Sequence, residues 1–187
     1  MANLKKAILD LKKAARDHTL YSNVLKTKGN IVIFRGNLSN PDYLFIGEAP
    51  GNNENIQGIP FIGRSGKLLD NWLDSESIES FAVINTVPII PLKSEGGIRK
   101  PTREEINYFR PYVSSLIEAI NPKYIICLGK SALEYMNIYL ENTFWKQNAG
   151  FIYHPAYYLR NGRDGLNDFK KLIENKTSNF QRGLSDF

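Results

Sequence analysis

Cysteine and histidine are scarce in this sequence, which contains one cysteine, Cys127, and two histidines, His18 and His154. A single cysteine excludes an intrachain disulfide and any metal cluster held only by cysteines. With so few ligands of either kind, we expect no His/Cys metal site. A site made entirely of carboxylates stays open on this ground.

Long apolar runs are also missing. No stretch approaches the roughly 20 apolar residues that a helix needs to cross a bilayer. The N-terminal sequence, MANLKKAILDLKKAARD, is charged throughout and lacks the apolar core of a signal peptide. We therefore expect an intracellular, cytoplasmic protein with no membrane partner.

The composition is that of a globular domain, with 42% hydrophobic and 23% charged residues. A length of 187 residues predicts one domain over 1–187, and we expect a monomer. The net charge of +5 favours a polyanionic partner. Many soluble proteins are equally basic, so charge alone is weak support for nucleic acid.

Predicted strands alternate with predicted helices along the chain. Tyr43–Ile46 is a short apolar strand, and a glycine-rich loop then leads to a helix that opens after Gly66. This alternation predicts an α/β fold, a three-layer α/β/α domain with a central four-stranded parallel sheet. The other three main strands are predicted at Phe81–Asn85, Tyr124–Leu128 and Gly150–Tyr153, and the other helices at 4–16, 102–120, 130–139 and 166–174.

Several boundaries are predicted from local signals. Thr102 and Glu105 fit a capping box that starts a helix, and Pro111 predicts a break or kink inside it. The segment Tyr21–Asn30 is predicted as loop and Ile31–Phe34 as a short strand, followed by a turn at Arg35-Gly36-Asn37. Residues 176–187 are predicted to form a polar tail.

Each main strand ends in a distinctive residue. Glu48 follows the first strand, Asn85 ends the second, Gly129 follows the third and His154 follows the fourth. Parallel strands share one carboxyl edge, where α/β proteins bind ligands. We therefore expect a carboxylate, an amide and an imidazole to line one cleft.

Nucleotide-binding loops and a serine hydrolase elbow do not fit this edge. The GKS of Leu128-Gly-Lys-Ser131 lacks the earlier glycine of a P-loop, because Tyr124 stands there. Gly66-Lys67 fails the same test, since Phe61 occupies that glycine position. No GxGxxG follows a strand, and no serine sits in a strand-to-helix elbow.

The motifs as a set resemble the uracil-DNA glycosylase superfamily, and most closely its family-four, iron–sulphur branch. The resemblance spans about 41–175, which would be the core of the domain. The segments that carry it are Gly47-Glu-Ala-Pro-Gly51 with Glu54, Gly58-Ile-Pro-Phe-Ile-Gly63, Gly66-Lys-Leu-Leu69, Ile84-Asn85, Pro101-Thr-Arg-Glu-Glu105, Arg110-Pro-Tyr112, Leu128-Gly-Lys-Ser-Ala132 and Tyr153-His-Pro-Ala-Tyr157 through Asn161.

The resemblance implies catalytic roles. Asn85 would read the Watson–Crick edge of a flipped uracil, and His154 would donate a hydrogen bond to uracil O2 as negative charge develops there. Glu48 would orient water or stabilise the cationic sugar. Stabilising both charges in a dry pocket would lower the barrier without a metal or a covalent nucleophile.

It also implies a binding pocket for the base. Phe61 would stack on uracil, and Gly47 would also belong to the substrate-binding residues. The backbone N–H of Ala49 would bind the base, although its side chain cannot replace the water-activating Asp or Asn of other branches. Glu54 would shape the pocket and exclude the thymine methyl group.

DNA contacts are implied on both sides of this pocket. The loop after His154, from Ala156 to Arg160, would enter the minor groove, with Tyr158 or Leu159 as the wedge and Arg160 on a phosphate. Glycines and Pro60 would let the backbone approach phosphates. The remaining residues assigned to DNA by the resemblance are Pro50, Gly51, Gly63, Ser65, Lys130, Ser131 and Tyr157.

Each residue also has a local explanation. Asn85 could be a turn residue at a strand end, Glu48 a cap, and Phe61 a core residue. His154 before a proline could be an ordinary turn residue, and Lys130 with Ser131 fits by itself a helix start. Only the complete motif set favours the functional interpretation, most clearly for Asn85, Phe61 and His154.

The chain departs from the family-four pattern at the four cysteines that hold a four-iron, four-sulphur cluster. Ile89 and Phe109 stand where the last two ligands are expected, and Cys127 lies outside that pattern. We therefore expect no cluster and no other cofactor, with apolar side chains in its place. The segment Pro91–Pro101 also lacks the histidine of the relatives that form a covalent bond to uracil.

The sequence thus predicts a monofunctional uracil-DNA glycosylase of base excision repair. It would act on uracil in single- or double-stranded DNA, release free uracil and leave an abasic site. Two alternatives stay open: a catalytically weak or inactive DNA-binding or replication-associated module, and a glycosylase for another deaminated base such as hypoxanthine.

Overall fold

The computed structural model describes residues 2–27, 29–140, 145 and 148–174. The tail predicted for 176–187 lies outside these residues. The described part is an α/β structure whose sheet has the strand order β1-β3-β2-β4-β5. The strands are β1 Phe34–Gly36, β2 Tyr43–Gly47, β3 Phe81–Asn85, β4 Tyr124–Leu128 and β5 Ala149–Ile152.

Strands β2 to β5 form the predicted four-stranded parallel sheet. The fifth strand, β1, was predicted three residues too early. It pairs antiparallel with β3 at the edge of the sheet, from Phe34 opposite Ile84 to Gly36 opposite Ala82. The preceding Val32 and Ile33 are apolar because they are buried in the core, not because they pair in the sheet.

The helices of the described part flank this sheet. Their bounds are α1 Ala2–Asp17, α2 Thr19–Thr27, α3 Asn52–Gln57, α4 Arg64–Ser75, α5 Arg103–Ile120, α6 Lys130–Leu140, α7 Pro155–Arg160 and α8 Leu166–Glu174. No helix in this part is long and apolar enough to cross a membrane.

Three helices lie where the sequence predicted loop. Helix α2 replaces most of the loop predicted for 21–30, and α3 and α7 lie in the segments after β2 and β5. The helices α3 and α7 have six residues each, which is too short to show an apolar helical period. The loop prediction was wrong there because tertiary contacts stabilise such short helices.

The predicted capping box of α5 is confirmed. The amide of Glu105 donates to Thr102 Oγ1 at 3.2 Å, and the amide of Thr102 donates to Glu105 Oε2 at 2.7 Å. Of the break or kink predicted at Pro111, the break is wrong, because α5 continues through this residue to Ile120, and the kink stays a prediction. One missing backbone donor costs less than the packing of a buried helix face that includes Phe109 and Val113.

Alternate residues of the sheet face two apolar layers. In β2, Leu44 and Ile46 pack with buried residues of α1, α5 and α6, whereas Tyr43 and Phe45 pack with those of α4 and α8. The sheet therefore lies between two helical layers, which confirms the three-layer α/β/α fold. The carboxyl ends of β2 to β5 meet at one edge, as the sequence predicted.

Candidate active site

A close contact between β2, β3 and the glycine-rich loop forms the floor of the candidate site. Gly47 and Asn85 are register partners at the ends of β2 and β3. A Cβ atom at Gly47 would lie 2.5 Å from Asn85 Oδ1 and 2.5 Å from Phe61 Cε2. Only glycine lets the amide of Asn85 and the ring of Phe61 approach the same point.

The backbone of Phe61 is held in an unusual conformation. Its φ of +55° lies in the left-handed region, which a bulky residue rarely adopts. Its carbonyl oxygen accepts from Arg35 Nη1 at 2.5 Å, and Arg35 also forms an ion pair with Asp70. A Cβ at Gly66 would lie 1.8 Å from the same oxygen, so this residue must also be glycine. These contacts fix the Phe61 ring in place.

Arg35 and Asp70 are functional candidates that the sequence did not reveal. Arg35 lies in the edge strand β1 and Asp70 in α4, so nothing in local spacing links either of them to Phe61. The sequence predicted only that Arg35 lies in a turn, and a turn does not indicate which residue its side chain contacts. Arg35 contacts the backbone of Phe61 and Asp70 contacts Arg35, so both are positioning residues.

A cavity of about 450 Å³ opens at this floor. It brings together most of the residues that the sequence assigned to the base. Asn52, Asn53 and Arg64 also line it and were not singled out by the sequence. Its lining residues are Ala49, Gly51, Asn52, Asn53, Glu54, Phe61, Gly63, Arg64, Ser65, Asn85 and His154.

Asn85 is the most informative residue of this cavity. The residue is 4% exposed, and its Oδ1 atom is buried without a hydrogen-bond partner among the described residues. Buried polar atoms in folded proteins are nearly always paired. An unpaired amide oxygen that borders a cavity is therefore suited to accept a hydrogen bond from a ligand.

His154 caps α7 and borders the same cavity. Its Nδ1 accepts from the amide of Ala156 at 3.1 Å, so the proton of the neutral ring lies on Nε2. Burial lowers the pKa of His154 to about 4, with a further lowering from the charge of Arg160. The ring centroids of His154 and Phe61 are 5.4 Å apart. A neutral imidazole with one N–H donor thus lies beside the aromatic ring.

Glu48 is not a lining residue of this cavity but precedes Ala49, which is, and it is held by one residue of α6 and one that follows β3. Its Oε2 accepts from Ser131 Oγ at 2.6 Å, and its carbonyl oxygen accepts from Thr86 Oγ1 at 2.7 Å. Ser131 therefore orients this carboxylate rather than only starting α6. Thr86 was not singled out by the sequence, although it follows Asn85 directly.

Glu54 connects the two ends of the glycine-rich loop. Its Oε2 accepts from the amide of Gly51 at 3.1 Å, and its Oε1 accepts from the amide of Gly63 at 3.2 Å. This pair of hydrogen bonds gives the carboxylate a role in shaping the loop. It also means that both glycine amides are already engaged, which removes them as donors to a phosphate.

Helix α7 decides between the two predicted wedge residues. Tyr158 is 1% exposed, and its hydroxyl donates to Asp168 Oδ2 at 2.9 Å. The alternative that Tyr158 enters DNA is therefore wrong, because its ring packs in the core. Leu159 is 41% exposed, and Tyr157 and Arg160 are also exposed.

The other residues assigned to DNA lie in three different places. Pro50 and Pro60 are buried, and the backbone approach to phosphates that the resemblance implies at Pro60 stays a prediction. Ser65 lines the cavity described above. Lys130 and Ser131 line a separate cavity between α5 and α6.

Gly47→Ala should damage the site more than the fold. The added Cβ would displace Asn85 or Phe61, and misplacement of reacting groups by about 1 Å costs on the order of a hundred-fold in rate. Overpacking should lower the free energy of unfolding by about 1–3 kcal/mol. Gly97→Ala is the matched control, because nothing lies within 4 Å of its added Cβ.

These two variants are compared by base release from a uracil-containing oligonucleotide and by urea unfolding. We expect Gly97→Ala to keep its activity and to lose only the stability that its positive φ implies. Wild-type activity in Gly47→Ala would contradict the need for close approach at this position.

The iron–sulphur cluster of the resembled family does not fit the residues present. At the two expected ligand positions, Ile89 and Phe109 are both fully buried apolar residues. The rings of His18 and Tyr21 pack against Phe109 at centroid distances of 5.8 Å each. Cys127 is buried inside β4, where burial raises the pKa of its thiol. The described residues contain no group of three or more side chains suited to a metal.

Comparisons with known proteins agree with the motif set. Residues 33–176 match the family model described as the uracil DNA glycosylase superfamily. The chain is 34% identical over 171 residues to a type-4 uracil-DNA glycosylase of Archaeoglobus fulgidus, with 80% of this chain and 83% of the relative covered. It is 35% identical over 190 residues to that of Saccharolobus solfataricus, covering 86% of each. A third relative, from Thermotoga maritima, is 33% identical over 150 residues, covering 73% of this chain and 76% of its own.

Proposed function

Because the chain belongs to the uracil DNA glycosylase superfamily and is thus a DNA glycosylase, we propose that it flips deoxyuridine out of DNA and hydrolyses its N-glycosidic bond. The products are free uracil and an abasic site. The observation that carries this proposal is the buried, unpartnered Oδ1 of Asn85 at a cavity that also contains Phe61 and His154.

Asn85 reads the base in this proposal. Uracil carries an N3–H donor between two carbonyl oxygens, and an amide side chain offers the complementary acceptor and donor. Paired with N3–H, Asn85 Oδ1 would gain the hydrogen bond that it lacks in the free protein. Phe61 would stack on the ring, since base–aromatic stacking stabilises an extruded base without demanding a sequence.

His154 stabilises the leaving group. As the N-glycosidic bond breaks, negative charge develops on uracil and positive charge on the sugar. A neutral imidazole with its proton on Nε2 can donate to the uracil oxygen without bringing a second cation into the site. The backbone hydrogen bond at Nδ1 holds the ring in the tautomer that this step needs.

Glu48 would act on the sugar side of the bond. Its carboxylate either orients the attacking water or stabilises the oxocarbenium-like sugar, and both roles need a fixed position. The hydrogen bond from Ser131 supplies that position. Ala49 has no carboxylate or amide that could take part. If Glu48 stabilises the oxocarbenium-like sugar, it would therefore be the main negative group near that sugar.

The DNA contacts proposed for α7 follow from exposure. Leu159 would enter the stack as the wedge, with Arg160 on a phosphate. The exposed rings of Tyr153 and Tyr157 stack at a centroid distance of 4.6 Å and flank His154 in sequence. An exposed aromatic pair beside the pocket suits contact with neighbouring bases.

We further propose that the protein works as a monomer without the iron–sulphur cluster of its relatives. Ile89, Phe109 and the rings packed against Phe109 would supply by apolar burial the stability that a metal staple gives elsewhere.

The proposal is tested by base release from a labelled oligonucleotide with one deoxyuridine, followed by alkaline cleavage. Substrates with hypoxanthine and with a thymine mismatch run in parallel. Cleavage at uracil supports the proposal, and cleavage only at hypoxanthine would replace the substrate. DNA binding without any cleavage would indicate a non-catalytic module.

The pKa of His154 predicts how activity depends on pH. Because the folded-state pKa is about 4 and the ordinary value is 6.5, the ring stays neutral as pH falls below 6.5. Uracil release should therefore stay constant from pH 8 to about 5.5 with respect to this group, and fall only as the pH approaches 4.

The lowered pKa of His154 should also make the free energy of unfolding depend on pH. Between pH 6.5 and 4 the unfolded chain takes up a proton that folded His154 refuses, so the free energy of unfolding falls as pH is lowered through this window. In His154→Asn, urea unfolding should vary less with pH over this range. A wild-type activity limb near pH 6.5 that disappears in this variant would contradict the neutral-histidine assignment.

A further inference from the structure

A second cavity lies beside the active site and carries an excess of positive charge. It has a volume of about 680 Å³ and lies between α5, α6 and the loop before α5. Four cationic side chains and one carboxylate, Glu134, line it. The cations are Lys100, Arg103, Arg110 and Lys130.

The loop that carries Lys100 is anchored. Arg99 donates to both carboxylate oxygens of Glu105, at 2.7 and 2.5 Å, and to the carbonyl oxygen of Lys100 at 2.9 Å. Glu105 is buried in α5 and also accepts from the amide of Thr102. This bidentate pair fixes the backbone on both sides of Lys100 before any ligand arrives.

Arg110 is the least exposed cation of this cavity and has spare hydrogen-bonding capacity. Its Nε is buried without a partner among the described residues. Its guanidinium carbon lies 5.5 Å from the ring centroid of Tyr135. Arg110 lines the cavity next to this ring, and the edge of a guanidinium group matches two phosphate oxygens.

One lining residue of this cavity contacts the carboxylate of Glu48. Ser131 lines it and donates to Glu48 Oε2 at 2.6 Å. A ligand in the cavity would therefore lie one side chain away from the sugar side of the proposed reaction. Four cations facing one carboxylate favour an anionic ligand with several oxygen acceptors.

We propose that the cavity binds a phosphate group, and that this is a backbone phosphate of the DNA strand that carries the uracil. Arg110 forms the core of the site, and Lys100, Arg103 and Lys130 surround it. The DNA assignment rests on the proposed function, whereas the phosphate chemistry rests on the cavity itself. The phosphate would anchor the strand on the Glu48 side of the site.

The test measures binding of a uracil-free, labelled single strand at several salt concentrations. Arg110→Gln and Lys100→Gln are compared with Lys123→Gln, which removes the same charge from the residue just before β4, at the amino edge of the sheet. Removing one cation that binds a phosphate should reduce the slope of log K against log salt by about 0.7. Binding at low salt should weaken about ten-fold, as expected for one charge-assisted hydrogen bond.

Both cavity variants should show these changes, and Lys123→Gln should match wild type. Lys100 is exposed, so its variant decides the question even if Arg110→Gln folds poorly. Wild-type affinity and slope in both variants would overturn the proposal. If inorganic phosphate raises the wild-type Tm but not that of Arg110→Gln while DNA binding is unchanged, the cavity binds free phosphate and the DNA assignment is wrong.

This readout is independent of catalysis because the strand contains no uracil. A wild-type protein that releases no uracil would contradict the proposed function, and the salt slope would still decide whether the cavity holds a DNA phosphate.

Discussion

Replacing Asn85 by alanine should reduce uracil release on the order of a thousand-fold. Among the described residues, Asn85 Oδ1 is the only buried, unpartnered acceptor at the cavity floor, and the variant loses it. Uracil N3–H would then be left without a partner in a dry pocket, which costs most in the transition state.

Stability should respond differently from activity. Asn85 Oδ1 makes no hydrogen bond within the described residues of the free protein, so its removal breaks no internal bond of that atom. We expect the free energy of unfolding to change by no more than about 1 kcal/mol. A residue needed for turn structure would show the reverse, a large loss of stability that accounts for the loss of activity.

Asn71→Ala is the matched control, because Asn71 is an exposed residue of α4 and the chemical change is the same. Base release under single-turnover conditions and urea unfolding are measured on both variants and on wild type. Wild-type release by Asn85→Ala would contradict the assignment of the base-reading residue.

Replacing His154 should have the second largest effect. His154→Asn removes the imidazole donor but offers a side-chain oxygen that can accept from the amide of Ala156, as Nδ1 does at 3.1 Å. We expect uracil release to fall by about two to three orders of magnitude, the usual cost of one donor to a developing oxyanion.

His154→Ala separates the cap from the chemistry. It loses both the donor and the cap of α7, so it should be as inactive as His154→Asn and less stable by about 1 kcal/mol. Single-turnover rates and thermal unfolding give the two quantities. If His154→Asn keeps wild-type activity and only His154→Ala loses it, the histidine acts as a helix cap and not as a donor to the base.

The sequence determined the fold class and the location of the site. Buried strands with short apolar runs, each followed by a helix, are local patterns, and they required parallel strands with one shared carboxyl edge. The ends of those strands then brought Glu48, Asn85 and His154 to that edge. The motif set supplied the family, which the matched residues 33–176 confirm.

The tertiary structure decided what depends on residues far apart in the chain. The backbone of Phe61 is held by Arg35, 26 residues earlier, and no local pattern encodes that hydrogen bond. The unpaired state of Asn85 Oδ1 depends on every neighbour that could have bonded to it. The edge strand β1 and helix α2 lacked distinctive periodicity, because packing rather than intrinsic propensity stabilises them.

Two further results needed three dimensions. Tyr158 and Leu159 are adjacent in sequence and equally suited to a wedge by type, but the turn of α7 buries the first and exposes the second. The cations of the second cavity come from a loop, α5 and α6, and lie together only because both helices pack on the same face of the sheet. Sequence patterns report which face of an element is buried, whereas the fold alone decides which buried or charged groups become neighbours.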